Sequence, residues 1–203
     1  MFSTAAFYKT IGFGCLLFVY VAVSYAKQPE RETLPKDKNG VVHILAIGNS
    51  FSMDATERHL RELAKGNGVK LLIANLYISG ATLQMHWDNA RDNNTVYEYR
   101  VVDKDGVLSS LKGVSLQQAL SDKKWDYISF QQSSASSGQY ATYQSLPNLY
   151  TYVKTLVPSQ TKFIFHQTWA YAESLKKPQF KRYNYNQKEM YDAIIHASAK
   201  ADE

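Results

Sequence analysis

Gly48-Asn49-Ser50 directly follows the apolar run Ile44-Leu45-Ala46-Ile47, an order that can lift a serine hydroxyl above the end of a β-strand. Three other apolar runs also end in polar or backbone-permissive residues. They are Ser79-Gly80, Gln131-Gln132-Ser133-Ser134 and His166-Gln167-Thr168, with Trp169 next in the chain. Ser, Gly, Gln and His together are what acyl transfer requires. A hydroxyl attacks a carbonyl, N–H donors hold the developing oxyanion, and an imidazole takes the proton. Gln131 and Gln132 can each supply an amide donor, but strand alternation sends their side chains to opposite faces, so one of them serves.

The elements needed to position these residues are legible in the hydropathy pattern. Residues 41–47, 69–78, 125–130 and 161–168 read as strands. Residues 55–65, 115–120, 143–156 and 184–201 read as helices, the first capped by Asp54 and stopped by Gly66 and Gly68. Alternating strands and helices imply an α/β fold, a mostly parallel sheet covered on both faces. In such a sheet ligands bind beyond the carboxyl ends of the strands, where the four polar endings lie. Residues 96–111 break the rhythm with a hairpin pattern turning at Asp105-Gly106, which reads as a lid or rim, or as surface decoration.

Four of these blocks carry a resemblance. Gly48-Asn49-Ser50-Phe51-Ser52 resembles the first block of the SGNH (GDSL-type) hydrolases, with Asn49 where most members have Asp. Ile78-Ser79-Gly80 is similar to their second block. The set Ile-Gly-Asn-Ser-Phe, Ser-Gly-Ala-Thr-Leu, Phe-Gln-Gln-Ser and His-Gln-Thr-Trp-Ala-Tyr resembles the DUF4886 domain within that superfamily, from about Val42 onward. The resemblance implies a three-layer α/β/α sandwich with a flavodoxin-like sheet. It implies Ser50 as nucleophile and the Ser50 and Gly80 backbone N–H groups as oxyanion donors. Gln131 then stands where the superfamily uses an Asn side chain as third donor, and His166, Gln132 and Trp169 fall where they can contact substrate.

The same resemblance implies a base from an Asp-x-x-His segment after the last strand. The sequence ends Ala197-Ser198-Ala199-Lys200-Ala201-Asp202-Glu203 and contains no such motif. The expectation is therefore a fragment of a longer gene product, with the domain at 41–203 lacking its last strand and helix. In a complete chain His166 is the substitute base. His43, His59, His86 and His196 read as structural, and no histidine pair has metal-ligand spacing, so neither metal nor cofactor is expected.

Composition narrows the partners. The formal charge of +5 is scattered, with no basic stripe interleaved with aromatics, so the pattern does not point to nucleic acid. Residues 1–26 read as a secretory signal peptide. Lys9 is the only charge before Lys27, residues 11–23 are apolar, and Ser24-Tyr25-Ala26 places small residues at −3 and −1. Cleavage removes Cys15, the only cysteine, and leaves an exported chain with no stable membrane insertion. Residues 27–40 read as a polar linker. The expected activity is hydrolysis of ester-linked acyl groups, O-acetyl on carbohydrate, in the periplasm or outside the cell. The rival from another class is a carbohydrate-binding protein on a hydrolase fold without turnover.

Overall fold

The structure is a computed structural model and describes residues 34–202; the expected signal peptide and the linker up to residue 33 lie outside the described residues. The rest of the linker closes onto the domain, where the Asp37 carboxylate accepts the N–H groups of Asn39 and Val41 at the mouth of the first strand.

Six strands form one sheet in the order β4-β3-β2-β1-β5-β6. They are β1 (Val41–Gly48), β2 (Lys70–Tyr77), β3 (Tyr97–Val102), β4 (Leu108–Val114), β5 (Tyr127–Phe130) and β6 (Lys162–Phe165). β1 pairs parallel with β2 and β5, and β5 pairs parallel with β6. The parallel part is thus ordered β2-β1-β5-β6, the flavodoxin-like winding, with all four carboxyl ends on one side. β1 is the most enclosed strand, as expected for a central parallel strand flanked on both edges and faces.

The hairpin is neither lid nor decoration. β3 pairs antiparallel with β2, and β4 with β3, so the hairpin widens the sheet at the edge away from β6. Its turn spans Asp103 to Gly106, with Gly106 at φ +92° and the Asp103 carboxylate accepting from Asp105 and Val107. The physical reason is burial: Tyr97 and Tyr99 put apolar surface into the core only if their strand joins the sheet.

Helices cover both faces. On one, α3 (Leu83–Arg91), α4 (Leu116–Asp122) and α5 (Leu146–Leu156) bury Leu83, Leu116, Leu120, Leu149 and Val153 against Leu45, Ile47, Leu76 and Ile128. On the other, Leu60 and Ala64 pack on Val42, Ile44, Leu71 and Ile73. A further cluster joins α6 (Gln187–Asp202), through Met190 and Ile194, to Tyr171, Phe180 and Phe51.

The helix after β1 starts earlier than its pattern indicates. α1 (Ser50–Ser52) runs without a break into a π-helical stretch (Met53–Leu60) and then α2 (Arg61–Gly66). Its N-cap is Asn49, not Asp54, whose carboxylate instead pairs with Arg58 on the surface. The apolar period that marks the helix is weak across the π-helical stretch, which has a different repeat. α3 escaped the sequence reading because it is short and polar; Thr82 caps it by accepting from Met85 N–H.

Candidate active site

Asn49 is the hub on which the Ser50 turn is built. It is buried and extended, at φ −141° and ψ −156°. Its Oδ1 accepts from Phe51 N–H at 3.1 Å, the capping bond that starts the helix. Its Nδ2 donates to Ala81 O at 3.1 Å and to Gln132 O at 3.4 Å, tying the ends of β1, β2 and β5 together. Its own N–H donates to Gln131 Oε1 at 3.4 Å. Ser50, one residue on, is exposed at the helix mouth. Among the described residues no group hydrogen-bonds Ser50 Oγ.

Gly48 has to be glycine. A Cβ there would lie 2.5 Å from Ser52 Oγ and 3.1 Å from Gln131 Oε1. Gly80 has a different reason: at φ +66° it adopts the left-handed backbone that glycine accepts without cost. The following residue, Ala81, is the one whose carbonyl Asn49 holds, so the Gly80 turn is fastened to the Ser50 turn.

The two glutamines divide as alternation requires. Gln131 turns toward the Ser50 turn and places Nε2 2.8 Å from His166 Nδ1 and 3.4 Å from His166 Nε2. Gln132 faces the other way. Its Oε1 accepts from Leu83 and Ser133 N–H, and its Nε2 donates to Thr142 O and Oγ1. Both ends of that amide are used, so Gln132 braces the loop after β5.

His166 ends β6 and is partly covered; burial pushes its pKa below the ordinary histidine value. With Nδ1 accepting from Gln131, the neutral ring carries its proton on Nε2 and acts there as a donor. Trp169 is 46% exposed and seats its indole on Phe51 at 4.1 Å between ring centroids. A cavity of about 550 Å³, lined by Asp54, His59, Leu60, Leu63 and Trp169, opens beside this pair. Among the described residues no group of His, Cys, Asp or Glu is arranged to hold a metal ion.

The structure therefore gathers Ser50, Gly80, Gln131, His166 and Trp169 at the carboxyl end of the sheet. Sequence reasoning missed the polar residues beneath them. Asn75, fully buried on β2, hydrogen-bonds Ser52 and Glu57, and Glu57 is clamped by Arg100. The available signal was Asn75 itself, a lone amide inside the apolar run 71–76; such a group must find a polar partner.

Comparison with known proteins adds the lineage. The family model of DUF4886, a domain of unknown function, matches residues 43–203. A DUF4886 family protein from Bacteroides uniformis is 43% identical, with a TM-score of 0.76 over 79% of this chain. The match covers 62% of that protein, so the chain spans under two thirds of its length. A putative SGNH hydrolase from Slackia heliotrinireducens is 18% identical, with a TM-score of 0.49 over 79% of this chain and 73% of its own. TesA is 13% identical, with a TM-score of 0.43 over 78% of this chain and 72% of its own. No curated protein sequence matches significantly. With the family model matching most of its length and a close structural relative in the same family, the chain belongs to the DUF4886 family.

Proposed function

We propose that this protein is a serine ester hydrolase of the SGNH type, acting on ester-linked acyl groups through a Ser50 acyl-enzyme. The observation that carries the reading is the fastening of Asn49. Its amide and backbone hold three strand ends so that Ser50 stands exposed at a helix mouth, next to the Gly80 turn. The blocks around Ser50 and Gly80 resemble those of SGNH hydrolases, which supports the same roles.

In this mechanism Ser50 Oγ bonds to the ester carbonyl carbon while its proton passes to a base. The carbonyl oxygen, now negative, takes hydrogen bonds from the N–H groups of Ser50 and Gly80. Gln131 adds the amide hydrogen that His166 leaves free. Collapse expels the alcohol, which receives the proton, and water then hydrolyses the acyl-enzyme. His166, neutral and donating from Nε2, suits contact with a substrate oxygen better than proton abstraction. The SGNH resemblance assigns the base to an Asp-x-x-His segment.

The substrate we favour is an O-acetylated carbohydrate met after export. The exposed Trp169, backed by Phe51, offers a flat face of the kind on which a sugar ring stacks. A second reading, a carbohydrate-binding protein without turnover, is favoured by one observation: among the described residues no base hydrogen-bonds Ser50 Oγ. Incubation with a fluorophosphonate, followed by peptide mass mapping, separates the two. Label on Ser50, absent in Ser50→Ala together with cleavage of p-nitrophenyl acetate, supports the hydrolase. Sugar affinity that Trp169→Ala abolishes, with no label and no turnover, supports the binding protein.

A further inference from the structure

Beneath Ser50 runs a chain of buried polar groups that ends on one peptide bond. Arg100, on β3, grips the Glu57 carboxylate with Nη2 at 2.9 Å and Nε at 3.0 Å. Asn75 Nδ2 donates to the same carboxylate at 2.8 Å, which turns Asn75 Oδ1 toward Ser52. The Ser52 hydroxyl lies between two acceptors, 3.0 Å from Asn75 Oδ1 and 2.6 Å from Asn49 O. Asn49 O also accepts from the N–H groups of Ser52 and Met53 at 3.0 and 3.3 Å. That carbonyl belongs to the Asn49–Ser50 peptide, whose N–H is the Ser50 N–H.

Each link comes from a different element, so the arrangement is tertiary. Asn75 and Arg100 face one another across the β2–β3 pair and share one side of the sheet. The partner of Asn75 on β1 is Ala46, and two residues on is Gly48. Small residues at both positions leave room on that face for Ser52 and Glu57. The π-helical stretch supplies Glu57 from above, and such stretches are rare and concentrate at functional sites.

We propose that Ser52 is a positioning residue that fixes and polarises the Asn49–Ser50 peptide so that its N–H is a strong oxyanion donor, while Asn75, held by Glu57 and Arg100, competes for the single Ser52 hydrogen and sets how much of it the peptide receives. The proposal rests on the reading of Ser50 as nucleophile. Hydrogen bonds accepted at a peptide oxygen draw electron density from the nitrogen and strengthen its N–H as a donor. A bare carboxylate this close to an oxyanion would oppose it. Arg100 clamps Glu57 and, through Nη1, also pairs with Glu98 at 2.9 Å, so it offsets the Glu57 charge in part and holds the carboxylate in place.

The test uses Ser52→Ala, with Asn75→Leu as a second variant of similar volume and Ser52→Thr as the conservative rescue. Two quantities are read well below the melting temperature: the Ser50 amide proton shift by NMR, and the rate of fluorophosphonate labelling at Ser50. The expected result is an upfield move of the Ser50 amide proton in Ser52→Ala and a downfield move in Asn75→Leu, which leaves the Ser52 hydrogen to Asn49 O alone. Labelling of Ser52→Ala slows about threefold, because the oxyanion bond is weakened by a fraction rather than removed, and Ser52→Thr restores both the shift and the rate. A Ser52→Ala protein with wild-type shift and wild-type labelling rate would overturn the positioning role while leaving Ser50 as nucleophile. A wild-type protein that takes no label at Ser50 would overturn the nucleophile reading and the positioning role with it. Lower thermal stability with both readouts unchanged means the residues only pack, and also overturns the proposal.

Discussion

Gln131 touches the Ser50 turn and His166 with the two ends of one amide: Oε1 faces Asn49 N–H at 3.4 Å, and Nε2 lies 2.8 Å from His166 Nδ1. A side chain fully inside the protein thus sets both the position of the turn and the tautomer of the imidazole. The neutral, Nε2-protonated ring follows from that contact together with burial.

This relationship predicts the effect of Gln131→Glu. The carboxylate keeps an acceptor for Asn49 N–H but faces His166 Nδ1 with negative charge, which favours the imidazolium. The His166 titration midpoint, read from its Cε1 proton by NMR, lies below the ordinary histidine value in the wild type and rises above it in the variant. Equal midpoints in the two proteins would show that the contact does not govern the ring.

Asn49→Asp tests the hub. Asn49 Nδ2 donates to two carbonyl oxygens, and a carboxylate there would lose both bonds and repel both acceptors. The expected loss of stability at pH 7 is about 3 kcal/mol, measured by urea unfolding. The buried carboxyl has a folded pKa above its unfolded value of about 3.9, so the folded state binds the extra proton. The deficit relative to wild type therefore shrinks as pH falls and grows as pH rises through the folded pKa. A deficit independent of pH would mean that the two carbonyls do not feel the charge.

Gly48→Ala puts a methyl 2.5 Å from Ser52 Oγ and 2.9 Å from Ser52 Cβ. Those atoms sit in a close-packed interior, so the overpacking costs about 1–3 kcal/mol. Denaturant unfolding reads the cost. The Ser50 amide proton moves as well, because Ser52 is the residue displaced. An unchanged unfolding midpoint would show that the site yields without strain.

His86 predicts acid sensitivity away from the site. It is fully buried against Tyr97, with Nδ1 3.1 Å from Tyr97 Oη and, among the described residues, no partner for Nε2. Burial pushes its pKa down to about 4, from the ordinary histidine value of 6.5. The unfolded chain binds the proton first, so stability is complete above pH 6.5 and falls as pH drops toward 4. The fall amounts to about 3 kcal/mol from this residue. His86→Phe keeps a ring in place to stack on Tyr97 and removes that slope. Melting temperatures across pH 4 to 7 check it, and equal slopes in both proteins would refute the assignment.

Local pattern alone located the four parallel strands, because an apolar run of strand length between turn residues has few other ways to bury itself. It also located the polar strand endings, and strand alternation separated Gln131 from Gln132 before their partners were known. What the pattern did not carry was partnership. Whether residues 96–111 cap the sheet or extend it depended on where Tyr97 and Tyr99 could be buried, a question about the other side of the core. The helix mouth was placed five residues late because Asp54 is as good a capping residue as Asn49; only the convergence of three strand ends on the Asn49 amide decides between them. Glu57, Asn75 and Arg100 lie 18 to 43 residues apart and read singly as a surface acid, a strand polar residue and a hairpin base. Hydrogen bonds between distant residues leave no periodicity in a sequence, so the residue types at the site were determined by the chain and their joining beneath Ser50 by the tertiary fold.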